Sequence, residues 1–156
     1  MDTVDRQTRS KIMGSVGRKN TGPELVLRHR LHRLGLRYRL HDKKLSGRPD
    51  IVLPRYCAVI FVHGCFWHAH KRCKYATQPS TRKKFWKEKF RVNRSRDKRN
   101  CKELAEGGWR VLVVWECALK SSNAEVLDGV AKAIKSWLDS EASFGEYGAK
   151  DVLPIP

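Results

Sequence analysis

Residues 57–62 read CAVIFV, apolar at every position, and residues 111–115 read VLVVW. A strand with one face in water alternates apolar and polar side chains, because successive side chains point to opposite faces. A run with no alternation has to be covered on both faces, so it belongs in the middle of a sheet, between layers of helix. Two such runs in a chain of 156 residues predict a layered α/β domain.

The flanking segments supply the layers. TGPELVLRHRLHRLG (21–35) predicts a helix. Thr21 and Glu24 form a capping-box pattern, Pro23 sits in the first turn, Gly35 follows the end, and Leu27, Leu31 and Leu34 share a face. LRYRLH (36–41) alternates as a strand does, LSGRPD is a turn, and DIVL (50–53) is joined to CAVIFV by PRY in a hairpin-like connection. An irregular loop is expected over 63–80 and a long basic helix over 81–106, stopped at Gly107-Gly108. WRVLVVWE (109–116) is a third strand, and 121–141 a closing amphipathic helix carrying Val130, Ile134 and Leu138. The expectation is one domain over 1–156, with a central mixed sheet and helices on both faces. Residues 1–20 read as a basic arm with a helical turn around 10–13, and residues 145–156 as a loose tail.

The charge is lopsided. Lys and Arg number 33 against 16 Asp and Glu, a net of +17. From Ser121 onward three residues are basic and six acidic, which leaves 30 basic and 10 acidic before it, or +20. Such an excess attracts polyanions, of which nucleic acid is the commonest. A merely solvated basic surface is the plainer reading. No segment pairs a basic face with a long apolar one, no apolar run approaches a membrane span, and residues 1–20 hold no apolar signal core. A cytoplasmic protein is expected.

VHGCFWHAHKRC (62–73) concentrates the chemistry. Five cysteines, an odd number in a reducing context, argue for metal binding or buried thiols over disulfides. Cys65, His70 and Cys73 suit Zn²⁺, which takes four tetrahedral N and S ligands in a structural site. If the two apolar strands are parallel neighbours, Cys117 reaches the same edge as Cys65 and becomes the best fourth ligand. Cys57 starts its strand at the far end, and Cys101 reads as a core thiol of the long helix.

Asp50, after Arg48-Pro49 at a strand start, is half of a metal-dependent nuclease signature, PD followed by (D/E)xK on the next strand. Its carboxylate would hold Mg²⁺ against the scissile phosphate. Pro-Asp is also ordinary turn chemistry. Phe61-Val62-His63 stands where acid-x-Lys is expected, so either the site is inactive or histidines do the work. His63 and His68 remain after zinc takes His70, and imidazole accepts a proton from water at neutral pH. Asp97, an acid among bases, is either a surface partner one helical turn from a base or the hydrogen-bond partner of a catalytic histidine. Phe66, Trp67 and Trp86 are either core residues or groups that stack on bases and wedge between base pairs.

TRSKIM, the Glu24 helix, GRPD, VIFVHGCFWHAHKRC, TRKKFW, NRSRD and GWRVLVVWECAL together resemble the very short patch repair (Vsr) DNA mismatch endonucleases, over about residues 8–119. The resemblance implies a restriction-endonuclease-like three-layer fold with a structural zinc loop and catalytic Mg²⁺. It implies nicking of one strand of duplex DNA on the 5′ side of the T in a T:G mismatch, the product of 5-methylcytosine deamination. By the same resemblance Asp50 and the backbone carbonyl of Val62 hold Mg²⁺. His68 is the catalytic histidine, supported by His63, Glu24 and Asp97. Cys65, His70, Cys73 and Cys117 hold zinc. Phe66, Trp67 and Trp86 wedge beside the mismatch, and Met13 on the arm inserts from the other groove. A monomer acting at the nucleoid is implied, with mismatch-repair proteins and a cytosine methyltransferase as associates. The chain departs from the family in having Val62 where threonine is common, and in a loop one residue longer at Lys71-Arg72. Two rival readings are a restriction-type endonuclease on intact duplex and a zinc-containing DNA-binding protein without catalysis.

Overall fold

The computed structural model describes residues 20–149. Five strands form one sheet in the order β1 (Arg39–Leu40), β2 (Ile51–Leu53), β3 (Ala58–His63), β4 (Arg110–Trp115) and β5 (Phe144–Tyr147). The β1/β2 and β2/β3 pairs are antiparallel, and the β3/β4 and β4/β5 pairs parallel. Three helices pack around this mixed sheet: α1 (Gly22–Arg33), α2 (Lys83–Glu106) and α3 (Ala124–Asp139). Among the described residues no helix is long and apolar enough to cross a membrane.

The two unbroken apolar runs lie at the centre, as their patterning requires. Alternate residues of β3 and β4 feed opposite layers. Ala58, Ile60, Leu112 and Val114 pack with Leu27 and Leu31 of α1 and with Val130, Ile134 and Leu138 of α3. Val59, Phe61, Val111, Val113 and Trp115 face the other way, against Leu104 of α2 and the Cys65 loop. The β3/β4 register runs from Ala58↔Arg110 to His63↔Trp115, so the two strands end level. That common end positions the site.

The ends of α1 show how local sequence sets its length. Thr21 accepts from the Glu24 amide at 3.4 Å, and the Glu24 carboxylate accepts from the Asn20 amide at 3.1 Å. At the other end Leu36 N–H reaches Leu31 O at 3.1 Å and Gly35 N–H reaches His32 O at 3.0 Å. This is a Schellman cap, with Gly35 at φ +85°. It also explains why the first strand is shorter than the alternation over 36–41 predicts. Leu36 is buried against α1 as part of its cap, so pairing begins only at Arg39. The PRY connection is a 3₁₀ turn, Pro54–Tyr56, closed by Cys57 at φ +49°.

One expectation needs correction. The chain after Phe144 is not a loose tail throughout. Phe144–Tyr147 forms β5, and three contacts hold this stretch. Val111 N–H donates to Ser143 O at 3.0 Å, Trp115 Nε1 to Glu146 Oε1 at 2.5 Å, and Tyr147 OH to Ala133 O at 3.3 Å. FGEY gives little strand signal because glycine is depleted in strands. Here glycine is required: a Cβ at Gly145 would lie 2.5 Å from Trp137 Nε1 and 2.9 Å from Leu112 Cδ1. The arm, its expected turn at 10–13, Met13 and residues 150–156 lie outside the described residues.

Candidate active site and metal centre

Three clusters gather at the C-terminal end of β3. Three residues within the stretch 62–65 lead into them. Val62 N–H donates to Asp50 Oδ2 at 2.7 Å, His63 stacks on His68, and Cys65 opens the thiol cluster. Strand ends of this kind are where parallel sheets present ligand sites.

In the first cluster the donor atoms of Cys65, His70, Cys73 and Cys117 lie within 4.8 Å of one another. Cys65 follows β3, and Cys117 lies in the 3₁₀ turn Glu116–Leu119 that follows β4. The parallel register therefore brings these two thiols together, as the sequence suggested. Glu116 Oε1 fixes the loop by accepting from the Cys65 amide at 3.0 Å, and the His70 ring stacks on Trp115 at 4.0 Å. Burial pushes the Cys65 thiol well up, and the Cys117 thiol up as well. One further fact fits a thiolate-binding cation here: the Ala149 amide donates to Cys117 Sγ at 3.3 Å. The set of three sulfurs and one imidazole matches tetrahedral Zn²⁺.

The second cluster joins His63, His68 and Asp97. Asp97 projects from α2, and its Oδ2 meets His68 Nδ1 at 2.5 Å. Burial alone would raise the Asp97 carboxyl; its hydrogen bond with His68 and the positive charge of that ring, with Arg96 nearby, outweigh that and hold it below the ordinary value. His63 and His68 stack with centroids 3.9 Å apart and planes 1° from parallel. His63 is 7% exposed, and burial, followed by the neighbouring His68, lowers its pKa to about 3. His63 is thus uncharged at neutral pH, and its flat face backs the His68 ring. Asn93 of α2 fixes the loop from behind by donating from Nδ2 to Trp67 O at 2.9 Å.

The third cluster joins Glu24, His41 and Asp50. Asp50 sits just before β2, and antiparallel pairing sets it opposite the end of β3. Burial raises its carboxyl to about 7, against the pull of the Val62 amide and with the negative charge of Glu24 adding to the rise. Glu24, 2% exposed, accepts from Arg28 Nη2 at 2.7 Å. Two carboxylates and an imidazole gathered here could together hold a divalent cation. Sequence reasoning missed His41 and Arg28 here. Neither belongs to a motif, and only the fold of α1, the 41–50 turn and β2 brings them to Asp50.

The aromatic residues pack on one another rather than standing apart. Phe66 lies 5.3 Å, centroid to centroid, from each of Trp67, Trp86 and Phe90, edge to face. Phe90 is buried, the other three are half-buried, and Phe85 is 45% exposed under Arg82. Beside this cluster an open cleft of about 820 Å³ runs between the 69–79 loop and α2. Lys71, Arg72, Lys83, Lys87 and Arg94 line it.

Residues 1–74 match the family described as DNA mismatch endonuclease Vsr. Over 151 residues the chain is 39% identical to the DNA mismatch endonuclease Vsr of Escherichia coli (strain K12), covering 97% of this chain and 96% of that one. It is 46% identical over 123 residues to the type II nicking enzyme V.XorIIP of Xanthomonas oryzae pv. oryzae, covering 79% and 90% of the two chains. It is 43% identical over 120 residues to the type II nicking enzyme V.NmeAIP of Neisseria meningitidis, covering 77% and 85%. Motifs, fold and these likenesses agree: the chain belongs to the Vsr family of DNA mismatch endonucleases.

Proposed function

We propose that this protein nicks one strand of duplex DNA on the 5′ side of the T in a T:G mismatch, with Mg²⁺ at Asp50 and structural Zn²⁺ at Cys65, His70, Cys73 and Cys117. The observation that carries the reading is the meeting of a paired carboxylate site and an Asp97–His68–His63 array at one strand end. The names of the relatives, a mismatch endonuclease and nicking enzymes, support the same chemistry. The fold that goes with this family is the restriction-endonuclease-like one.

The residues divide the work. Asp97 accepts at His68 Nδ1, which leaves Nε2 of that ring to take a proton from the attacking water. The flat face of His63, uncharged at neutral pH, keeps His68 from swinging away. Asp50 is fixed by the Val62 amide, and the Val62 carbonyl completes the magnesium position in this reading. Mg²⁺, when bound, supplies the charge that polarises the phosphate and offsets developing negative charge on its oxygens. Glu24 stands beside Asp50 and adds to the negative charge that a cation there would meet.

The Phe66, Trp67 and Trp86 cluster inserts beside the mismatch as one preassembled block. Unstacking a base step costs a few kcal/mol, and least at a mispair. Lysines and arginines of α2 and the 69–79 loop hold phosphates without reading sequence. Met13 on the arm would enter from the opposite groove.

The deciding experiment incubates the protein with Mg²⁺ and duplexes that differ only in T:G, U:G or C:G at one site. Nicking of T:G with C:G intact is the expected result. Cutting of C:G would make the protein a restriction-type nuclease. Binding without cutting, unchanged in Asp50→Ala, would sink both nuclease readings.

A further inference from the structure

We propose that His41 gives the Asp50 site a nitrogen ligand, so that the site binds a first-row transition dication more tightly than the Mg²⁺ it also accepts. The proposal rests on Asp50 being the metal-binding carboxylate. Three segments far apart in sequence bring donor atoms of Glu24, His41 and Asp50 within 4.8 Å of one another. His41 Nε2 faces Glu24 Oε2 at 3.1 Å and Asp50 Oδ1 at 3.9 Å. The ring is also placed by its own backbone. His41 N–H reaches Asp50 O at 3.4 Å, and its φ is +48°. Side chains are disfavoured in that left-handed region, and such outliers gather where a side chain has a task.

The donor set decides the class of ion. Mg²⁺ demands oxygen ligands in near-ideal octahedral geometry and gives up its waters reluctantly. An imidazole nitrogen beside carboxylates instead favours transition dications, rising from Mn²⁺ through the first row. Arg28 sharpens the choice. Its Nη2 sits 2.7 Å from Glu24 Oε2 and 3.2 Å from His41 Nε2, so any ion competes with a guanidinium for the same donors. That competition is common to all ions, and an ion that gains a nitrogen bond offsets more of it than Mg²⁺ does.

Mn²⁺ is the weakest binder of the series and therefore the most demanding probe. The full-length protein is titrated with Mn²⁺ and followed by electron paramagnetic resonance, with pulsed measurements of nitrogen coupling and Mg²⁺ as competitor. The expected result is Mn²⁺ held about tenfold or more tighter than Mg²⁺, with a directly coordinated nitrogen. His41→Gln keeps a polar side chain, and its melting profile checks that it folds. It should lose the nitrogen coupling and weaken Mn²⁺ about tenfold, while Mg²⁺ changes by less than about threefold. His68→Ala should keep the coupling, which excludes the second histidine cluster as its source. The proposal is overturned if the unaltered protein shows no nitrogen coupling, if His41→Gln retains it, or if both ions weaken alike. Asp50→Asn separates the two readings: if both ions still bind, the assignment of Asp50 itself has failed.

Discussion

The smallest decisive unit is the contact between Asp97 and His68. An aspartate that accepts at Nδ1 fixes both the tautomer and the angle of the ring, and its loss costs turnover far more than binding. Asp97→Asn should lower kcat about 10²- to 10⁴-fold with little change in KM or in bound zinc, measured by single-site nicking and metal analysis. Cysteine chemistry gives a second test. Cys57 is exposed, whereas burial, with Asp97 and Glu146 nearby, raises the Cys101 thiol and disfavours its reactive thiolate. Iodoacetamide at mildly alkaline pH should modify Cys57 first and Cys101 late, as read by peptide mass mapping. Cys65, Cys73 and Cys117 should react only after chelation if zinc holds them. At this scale the sequence was readable where chemistry was unusual for its surroundings. Asp97 stood out as an acid among bases, and Cys65 and His70 stood out by spacing. His41 did not, because its partners lie 17 residues before it and 9 after it, and no local pattern links the three.

At the scale of elements, β3 and β4 could be read directly because an unbroken apolar run has few ways to be covered. The parallel pairing that the sequence left as a condition sets Cys117 beside Cys65. β5 could not be read. Its four residues are half exposed, one is glycine, and its stability comes from partners supplied by β4 and α3. Its fit against α3 makes a specific prediction. Gly145→Ala drives a methyl into Trp137 and Leu112 and should destabilise the fold by about 1–3 kcal/mol, seen as a lower denaturant midpoint. Gly108→Ala is the useful contrast. Its φ is +86°, but nothing lies within 4 Å of a Cβ there, so the cost is conformational only, about 1 kcal/mol.

For the whole molecule, the charge of +17 acts through salt. Each phosphate contact that is lost should reduce the slope of log affinity against log salt by about 0.9. Lys87→Gln with Arg94→Gln, both on the cleft beside the aromatic block, should flatten that slope by about two. The change should be equal for T:G and C:G duplexes, in anisotropy titrations across about 50–200 mM salt. The basic excess behind such a hold was legible in composition, whereas the packing of Phe66, Trp67 and Trp86 into one block needed the fold, because residues 66 and 86 belong to separate segments. The run from Val62 to Cys65 limits how such a chain can change over generations. Val62 serves the carboxylate site, His63 the histidine stack and Cys65 the thiol cluster, with only Gly64 between. One inserted residue would displace everything beyond it by about 3.3 Å, a full strand step, and dislodge at least one of the three. The largely exposed turns over 74–82 carry no such obligation. Length variation among descendants should therefore accumulate there and be absent from 62–65.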